Sequence, residues 1–252
     1  PHLKKYGVQS MAAVPPQPNK TDWETNDMYE FEYHKATSVD DAVAAQKKGD
    51  DARFLAGGHT LLPTMKQRLA SPSDLVDISG ISGLGGITVS GDTVTIGATT
   101  THGEVAGSAD VKKAIPALAA MAGGIGDPQV RSCGTIGGSL ANNDPAADYP
   151  AAVLALGATI VTNEREIAGD DFFVGLFETA LNDGELITAV KFPVPTKAGY
   201  SKFPNPASRY AVVGVMYAET SSGIRVGVTG AGPSAFRAND IEAAFSSGSD
   251  IP

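Results

Sequence analysis

The distribution of glycine restricts this chain more than any other feature of its sequence. The chain has 252 residues and 29 glycines, and pairs of adjacent glycines stand at the centre of two well-separated segments. The first is Ala-Gly-Gly-His-Thr at 56–60, and the second is Gly-Thr-Ile-Gly-Gly-Ser at 134–139. Because glycine has no Cβ and readily adopts positive φ, both segments predict tight loops whose bare amides could hold a phosphate group. A strand-to-helix turn without a ligand explains the first segment equally well.

The spacing within these segments excludes the two commonest phosphate-binding motifs. Neither segment matches Gly-x-Gly-x-x-Gly of the dinucleotide-binding fold or the Walker A pattern. Two such loops in one chain therefore indicate a different way of holding a diphosphate. The residues between Ser139 and Asp148 include Asn142, Asn143 and Asp144. Short polar side chains of this kind can bind ribose or ribityl hydroxyls, although an Asx-rich surface loop is the simpler interpretation.

Composition and charge exclude several classes of protein. The formal net charge of −9 argues against a nucleic acid partner bound by charge. No apolar run approaches the roughly 18–20 residues that cross a bilayer, so no transmembrane segment is predicted. The single cysteine, Cys133, excludes an internal disulfide and any multi-thiolate metal or iron–sulfur site within this chain. The N-terminal residues lack the apolar stretch of a signal peptide, so a cytoplasmic protein is expected, with any membrane association made through partners.

Local patterns predict a mixture of short helices and strands. Ser38 and Asp41 form a capping pattern that starts a helix, and Gly91-Asp92 has the turn chemistry of a hairpin. Further helices are predicted over 61–69, 111–122, 150–156 and 241–245. Strands are predicted over 53–55, 75–78, 87–90, 93–96, 158–162, 186–192, 210–218 and 224–229. The prolines between 193 and 206 predict a crossover between two subdomains, and the final helix is expected to have little to pack against.

Taken together, the motifs resemble those of one protein family. The resemblance is to the FAD-binding medium subunit of molybdenum hydroxylases. Its two flavin loops look like residues 56–63 and 134–148 of this chain, and its domain junction looks like the string Asp-Gly-Glu-Leu-Ile-Thr at 183–188. The pattern is that of the carbon monoxide dehydrogenase and aldehyde oxidoreductase type. Three motifs in the family's order are far more specific than any one of them alone.

The resemblance implies a fold and a division of the chain. The fold is α+β, with a PCMH-type (vanillyl-alcohol-oxidase-like) FAD-binding domain in two lobes over residues 28–191. A C-terminal antiparallel β-sheet module with helices follows over 192–252, and it is expected to be incomplete because the family's closing helices are missing. Residues 1–27 are expected to be an extended N-terminal arm or a non-native remnant.

The resemblance also implies how each motif serves the cofactor. The two glycine loops would wrap the FAD diphosphate, Ile125 would lie beside the adenosine, and Asp148 would accept hydrogen bonds from cofactor hydroxyls. Lys202 and Tyr210 would reach the flavin, although residues 204–209 replace the basic cluster that the family carries before the tyrosine. The full set of expected cofactor-binding residues is Ala56, Gly57, Gly58, His59, Thr60, Ile125, Gly134, Thr135, Ile136, Gly137, Gly138, Ser139, Asn143, Asp148, Leu186, Ile187, Lys202 and Tyr210. No catalytic residue and no metal ligand is expected in this chain.

The implied function is electron transfer within a larger complex. The chain would take electrons from [2Fe–2S] clusters on a small iron–sulfur subunit and pass them to an external acceptor, while a large subunit holds the molybdopterin cofactor. The resemblance implies that the molybdenum subunit, and not this chain, selects the substrate of the complex. Two alternatives stay open: a stand-alone FAD-dependent oxidase of the same superfamily, and a non-catalytic scaffold subunit.

Overall fold

The computed structural model describes residues 28–247, so the predicted N-terminal arm and the last five residues lie outside the described part. The strands are β1 Glu32–Lys35, β2 Ala52–Leu55, β3 Asp74–Asp77, β4 Ile87–Ser90, β5 Thr93–Gly97, β6 Thr159–Thr162, β7 Glu166–Ala168, β8 Phe173–Gly175, β9 Glu178–Thr179, β10 Ile187–Pro193, β11 Lys197–Pro204, β12 Ala211–Thr220, β13 Gly223–Thr229 and β14 Phe236–Arg237. The helices are α1 Val39–Gln46, α2 Leu61–Lys66, α3 His102–Gly107, α4 Ala109–Ala114, α5 Pro116–Gly123, α6 Pro128–Cys133, α7 Ile136–Asn142, α8 Asp148–Leu156, α9 Gly169–Phe172 and α10 Asn239–Ser247.

The first lobe is a small parallel sheet in the order β1-β3-β2. Ser38 begins α1 as predicted, since its hydroxyl accepts from the Asp41 amide at 3.1 Å. Parallel strands end at the same edge of a sheet, and β2 and β3 end at residues that are paired in register, Leu55 and Asp77. The first glycine loop and the loop over 78–86 therefore leave the sheet side by side.

The second lobe is a five-stranded antiparallel sheet in the order β4-β5-β10-β6-β7, packed against helices. It holds the main hydrophobic core, in which every residue of α8 is buried. The predicted helix over 111–122 is divided by Pro116, which lacks the amide that would continue α4 and instead opens α5 at its first position. The polar segment 123–148 contains two helices, α6 and α7, that composition alone did not indicate.

The C-terminal module is an antiparallel sheet in the order β11-β12-β13-β14, and α8 and α10 both pack on it. The proline-flanked crossover contains an unpredicted strand, β11. The expectation that the final helix has little to pack against was wrong: Glu242 is buried and accepts from the Val226 amide at 2.8 Å. The Phe245 ring also lies 5.3 Å from the ring of Tyr217. In the described part of the chain, no helix is both long and apolar enough to cross a bilayer.

Candidate functional site

The two predicted glycine loops meet in the structure, at the junction of the two lobes. A Cβ on Gly57 would overlap the carbonyl oxygen of Cys133 and would lie 2.6 Å from its carbonyl carbon. Gly58 has a φ of +68°, a conformation that residues with a Cβ rarely adopt. The first glycine pair is therefore required for the contact between the loops as well as for the turn itself.

Most amides of the second loop are bonded within the chain, which corrects the expectation that this loop offers bare amides. Five backbone amides of this loop donate hydrogen bonds to other groups of the chain. They are the amides of Gly134 (to Val130 O, 2.8 Å), Ile136 (to Thr100 O, 3.1 Å), Gly137 (to Ala98 O, 2.9 Å), Gly138 (to Thr135 Oγ1, 3.1 Å) and Ser139 (to Thr135 O, 3.0 Å). A Cβ on Gly137 would lie 2.7 Å from that of Ala98. Gly137 therefore serves close packing against Ala98, the residue that follows β5.

A cavity of about 470 Å³ lies where the loops meet. Its walls come from both loops, from the segment after β3 and from the turn between β5 and α3. The lining residues are Ala56, Gly57, Ser79, Gly80, Ile81, Gly83, Gly85, Thr99, Thr101, Glu104, Cys133 and Thr135. Within the described residues, the amides of Gly57, Gly80, Gly83 and Gly85 make no hydrogen bond. A polar or anionic group in this cavity would find unused peptide donors, so the walls fit part of a dinucleotide.

Sequence analysis missed the wall that follows β3. The segment Ser-Gly-Ile-Ser-Gly-Leu-Gly-Gly at 79–86 is as rich in glycine as the predicted loops, and it follows a predicted strand in the same way. Gly83 and Gly86 have φ of +88° and +100°, and a Cβ on either would meet no atom within 4 Å. The glycine content after a strand was the signal that would have revealed this wall.

Positively charged groups lie around the second loop despite the acidic composition of the chain. Arg131 donates to the carbonyl oxygens of Ile125 at 2.9 Å and Gly126 at 3.1 Å. Burial, which is the largest cause, together with the neighbouring His59 and Arg131 lowers the pKa of His102 to about 4. Arg131 therefore places a positive charge just before the second loop, and such a charge favours a bound anion.

His102 is a buried residue that sequence analysis did not single out. Its amide donates to Gly134 O at 2.9 Å, and its ring lies 5.4 Å from the ring of Tyr149. Thr101 and Glu104 form a capping box that fixes the start of this helix. In the described part of the chain, neither His102 Nδ1 nor the Tyr149 hydroxyl has a hydrogen-bond partner. His102 is therefore a neutral imidazole lying directly beneath the second loop.

Because the folded state lowers the pKa of His102, we expect stability to fall on acidification. An unfolded histidine binds a proton near pH 6.5, whereas His102 stays neutral until about pH 4. Between these values the unfolded state binds more protons, so the free energy of unfolding decreases as the pH falls. Urea unfolding between pH 4.5 and 7.5 measures how steeply the free energy of unfolding changes with pH, and His102→Gln should make this dependence less steep. The same substitution at His34, an exposed histidine whose Nε2 lies 2.9 Å from Asp74 Oδ1, is the comparison for loss of a paired rather than a buried imidazole. An unchanged pH dependence in His102→Gln would contradict the assignment.

A second group of predicted residues comes together where α8 meets the C-terminal sheet. Lys202 donates to Asp148 Oδ2 at 3.0 Å and to Gly124 O at 3.2 Å, and both side chains of this ion pair are largely buried. The Tyr200 hydroxyl donates to Asp148 Oδ1. Burial raises the pKa of Asp148, and the bonds from Tyr200 and Lys202 oppose that increase. Tyr210 lies at the exposed end of this group, and burial together with the charges of Asp144 and Asp148 raises its pKa.

The remaining predicted residues have mixed surroundings. Asn143 is fully buried at the end of α7 with a φ of +42°, and its Nδ2 donates to Gly175 O at 2.9 Å and Glu178 O at 2.7 Å. Leu186 and Ile187 are buried at the start of β10, whereas Ile125 is partly buried beside Arg131. The structure thus joins the two loops around the cavity, and it separately joins Asp148 to Lys202.

Comparison with known proteins identifies the family. A model described as the FAD binding domain in molybdopterin dehydrogenase matches residues 29–195. The chain belongs to the FAD-binding medium-subunit family of the molybdenum hydroxylases. This result confirms the predicted PCMH-type α+β fold, the oxidoreductase class and FAD as the cofactor.

Relatives in this family are named as medium chains of different dehydrogenases. The carbon monoxide dehydrogenase medium chain of Afipia carboxidovorans is 42% identical over 77% of this chain and 70% of its own length. The glyceraldehyde dehydrogenase medium chain of Sulfolobus acidocaldarius is 36% identical, covering 84% of this chain and 80% of its own. Among solved structures, carbon monoxide dehydrogenase from Hydrogenophaga pseudoflava has a TM-score of 0.82 at 39% identity, covering 86% of this chain and 80% of that one.

Proposed function

We propose that this medium-subunit chain is the electron-transfer component of a heteromeric molybdenum-dependent hydroxylase or dehydrogenase. It takes electrons from [2Fe–2S] clusters on a small subunit and delivers them to an external acceptor, while a large subunit holds the molybdopterin cofactor. The observation that carries the proposal is the glycine-lined cavity between the two loops, in a chain whose family binds FAD. FAD supplies the ability to exchange one or two electrons.

In this proposal the chain's own residues hold and orient the cofactor. The unused amide of Gly57 and those in 79–86 donate to the diphosphate, and Thr135 lies on the opposite wall. Asp148 accepts from cofactor hydroxyls, Lys202 and Tyr210 reach the flavin, and Ile125 lies beside the adenosine. Asn143, Leu186 and Ile187 support the site from within the core. We take residues 28–191 as the FAD domain and 192–252 as the C-terminal module, with the boundary inside β10, whose last two residues still pair with β5.

The names of the relatives bear on partners and substrates. Two are medium chains of dehydrogenases for carbon monoxide and for glyceraldehyde, which supports an assembly with further subunits. A single type of FAD subunit serving unlike substrates is consistent with the substrate being chosen on another chain. We place the complex in the cytoplasm, with no nucleic acid partner.

Reconstitution with FAD tests this function directly. We expect the full chain, incubated with FAD and passed through a desalting column, to retain about one flavin per chain, measured by visible absorbance. FMN, which lacks the adenosine half and the diphosphate bridge, is the matched control and should be retained far less. A chain that retains no FAD would contradict the proposal.

Reduction of the bound flavin separates the proposed role from the alternatives. Under anaerobic conditions the flavin should bleach when a reduced [2Fe–2S] partner subunit is added, and it should stay oxidised with an aldehyde alone. Bleaching by the aldehyde alone would indicate a stand-alone oxidase. An unreduced flavin in both mixtures would contradict the electron-transfer role, whereas a scaffold subunit that has lost its cofactor would hold no flavin at all.

A further inference from the structure

Tyr200 makes a contact with the proposed flavin site that no sequence motif indicated. It lies on β11 two residues before Lys202, so the two side chains point to the same face of the sheet. Exposure alternates along β11 accordingly, with Tyr200 and Lys202 partly buried and Ser201 exposed. The hydroxyl of Tyr200 donates to Asp148 Oδ1, and the ammonium of Lys202 donates to Oδ2 while lying 3.0 Å from both carboxylate oxygens.

The neighbouring strand leaves a space for the Tyr200 hydroxyl. Gly214 on β12 pairs with Lys202 in the antiparallel register. A Cβ on Gly214 would overlap the Tyr200 hydroxyl and would lie 3.1 Å from Tyr200 Cζ. The φ of Gly214 is not in the left-handed region, so the backbone alone does not require glycine here. The absence of a side chain at 214 instead permits the hydroxyl to reach Asp148.

We infer that Tyr200 is a positioning residue of the flavin site, whose hydroxyl fixes the orientation of the Asp148 carboxylate and thereby strengthens FAD binding. This inference rests on the proposed function, because Asp148 is there assigned to cofactor hydroxyls. A carboxylate with two defined donors keeps its remaining lone pairs in fixed directions, and preorganised acceptors bind a ligand more tightly than mobile ones.

The protonation states are consistent with this role. Burial and the neighbouring Asp148 raise the pKa of Tyr200, so its hydroxyl keeps its proton and donates. Burial raises the pKa of Asp148, whereas the bonds from Tyr200 and Lys202 lower it. The other titratable groups facing Asp148 are Tyr149 on α8 and Tyr210 after β11. Removing the Tyr200 hydroxyl therefore raises the pKa of Asp148 further.

Tyr200→Phe in the full chain tests the inference, because it removes the hydroxyl and keeps the ring. We expect the Kd for FAD, measured by quenching of flavin fluorescence, to rise about tenfold, the size of one charge-assisted hydrogen bond. The pH below which FAD binding weakens should also move upward, since a protonated Asp148 accepts fewer hydrogen bonds. A merely structural residue would not shift this pH profile.

Two further variants make the test specific. Tyr217→Phe is the matched control: Tyr217 lies on β12, and its hydroxyl donates to Glu219 at 2.9 Å, so its loss should leave the FAD Kd within about twofold. Gly214→Ala keeps the Tyr200 hydroxyl but displaces it, so it should weaken FAD binding and shift the pH profile in the same direction as Tyr200→Phe. If Tyr200→Phe fails to fold, Gly214→Ala alone tests the inference.

The outcomes separate this inference from the proposed function. A wild-type chain that retains no FAD contradicts the proposed function and this inference with it. A wild-type chain that binds FAD, together with Tyr200→Phe and Gly214→Ala variants whose Kd and pH profile match those of Tyr217→Phe, contradicts only the role of Tyr200.

Discussion

Replacement of Gly57 by alanine is expected to abolish high-affinity FAD binding. The new Cβ would overlap the Cys133 carbonyl oxygen and would lie 2.6 Å from the carbonyl carbon. Both are backbone atoms, which cannot rotate away as the end of a side chain can, so the two loops must separate. We expect the FAD Kd to rise by at least about 100-fold, equivalent to about 2.7 kcal/mol. Overpacking should lower the free energy of unfolding by about 1–3 kcal/mol.

Flavin titration and urea unfolding of the same samples measure both effects. Gly107→Ala is the control, because a Cβ on Gly107 meets no atom within 4 Å and its φ is not in the left-handed region. It should change stability by no more than about 0.5 kcal/mol and leave the FAD Kd unchanged. Wild-type FAD affinity in Gly57→Ala would show that the contact between the loops does not form the site.

Replacement of Glu185 by glutamine is expected to destabilise the second lobe. The Glu185 side chain is fully buried and accepts from Arg165 Nε and Nη2, both at 3.0 Å, from Thr162 Oγ1 at 2.7 Å and from the Asn182 amide at 2.8 Å. Glutamine keeps the shape but removes the charge and places an NH₂ group among these donors. Breaking a charged hydrogen-bond network of this kind costs about 2–4 kcal/mol.

The pH dependence of stability provides a second measurement of Glu185. Burial raises its pKa, but the bonds from Arg165, Asn182 and Thr162 outweigh burial and lower the pKa to about 2. An unfolded glutamate titrates near pH 4.3. The contribution of ionised Glu185 to the free energy of unfolding is therefore complete above about pH 4.3, and it is lost as the pH falls towards about 2.

Urea midpoints across the acid range should show this loss in the wild type and a smaller one in Glu185→Gln. Glu32→Gln is the control, because Glu32 lies exposed on β1. If Glu185→Gln has the stability and acid response of that control, the network around Glu185 does not stabilise the fold.

Local sequence patterns predicted the elements whose cause is local. The Ser38 cap and the Gly91 turn of the β4–β5 hairpin each depend on residues within a few positions along the chain. Strand β11 was missed because the prolines near its ends suggested a connection. Its pairing with β12 and its packing on α5 are contacts between distant segments.

The candidate site, like the fold, was predicted only where its signal is local in the sequence. The glycine loops were found because their composition is unusual, and the loop over 79–86 had the same signal but was overlooked. No sequence signal pointed to Tyr200, since it lies outside the recognised motifs and on the strand that the flanking prolines concealed. Its importance follows from Asp148, which is 52 residues away along the chain.

By itself, the sequence determined the positions of the two glycine loops from residue types at short spacings, and the resemblance of its motifs to one family implied the α+β class and FAD as the cofactor. Only the tertiary structure decided why these positions lack a side chain. The space that a Cβ would occupy is taken by the Cys133 carbonyl at Gly57, by Ala98 at Gly137 and by the Tyr200 hydroxyl at Gly214. The physical reason is that the space available to a Cβ depends on chain segments far away in sequence, and no local pattern records which segments those are.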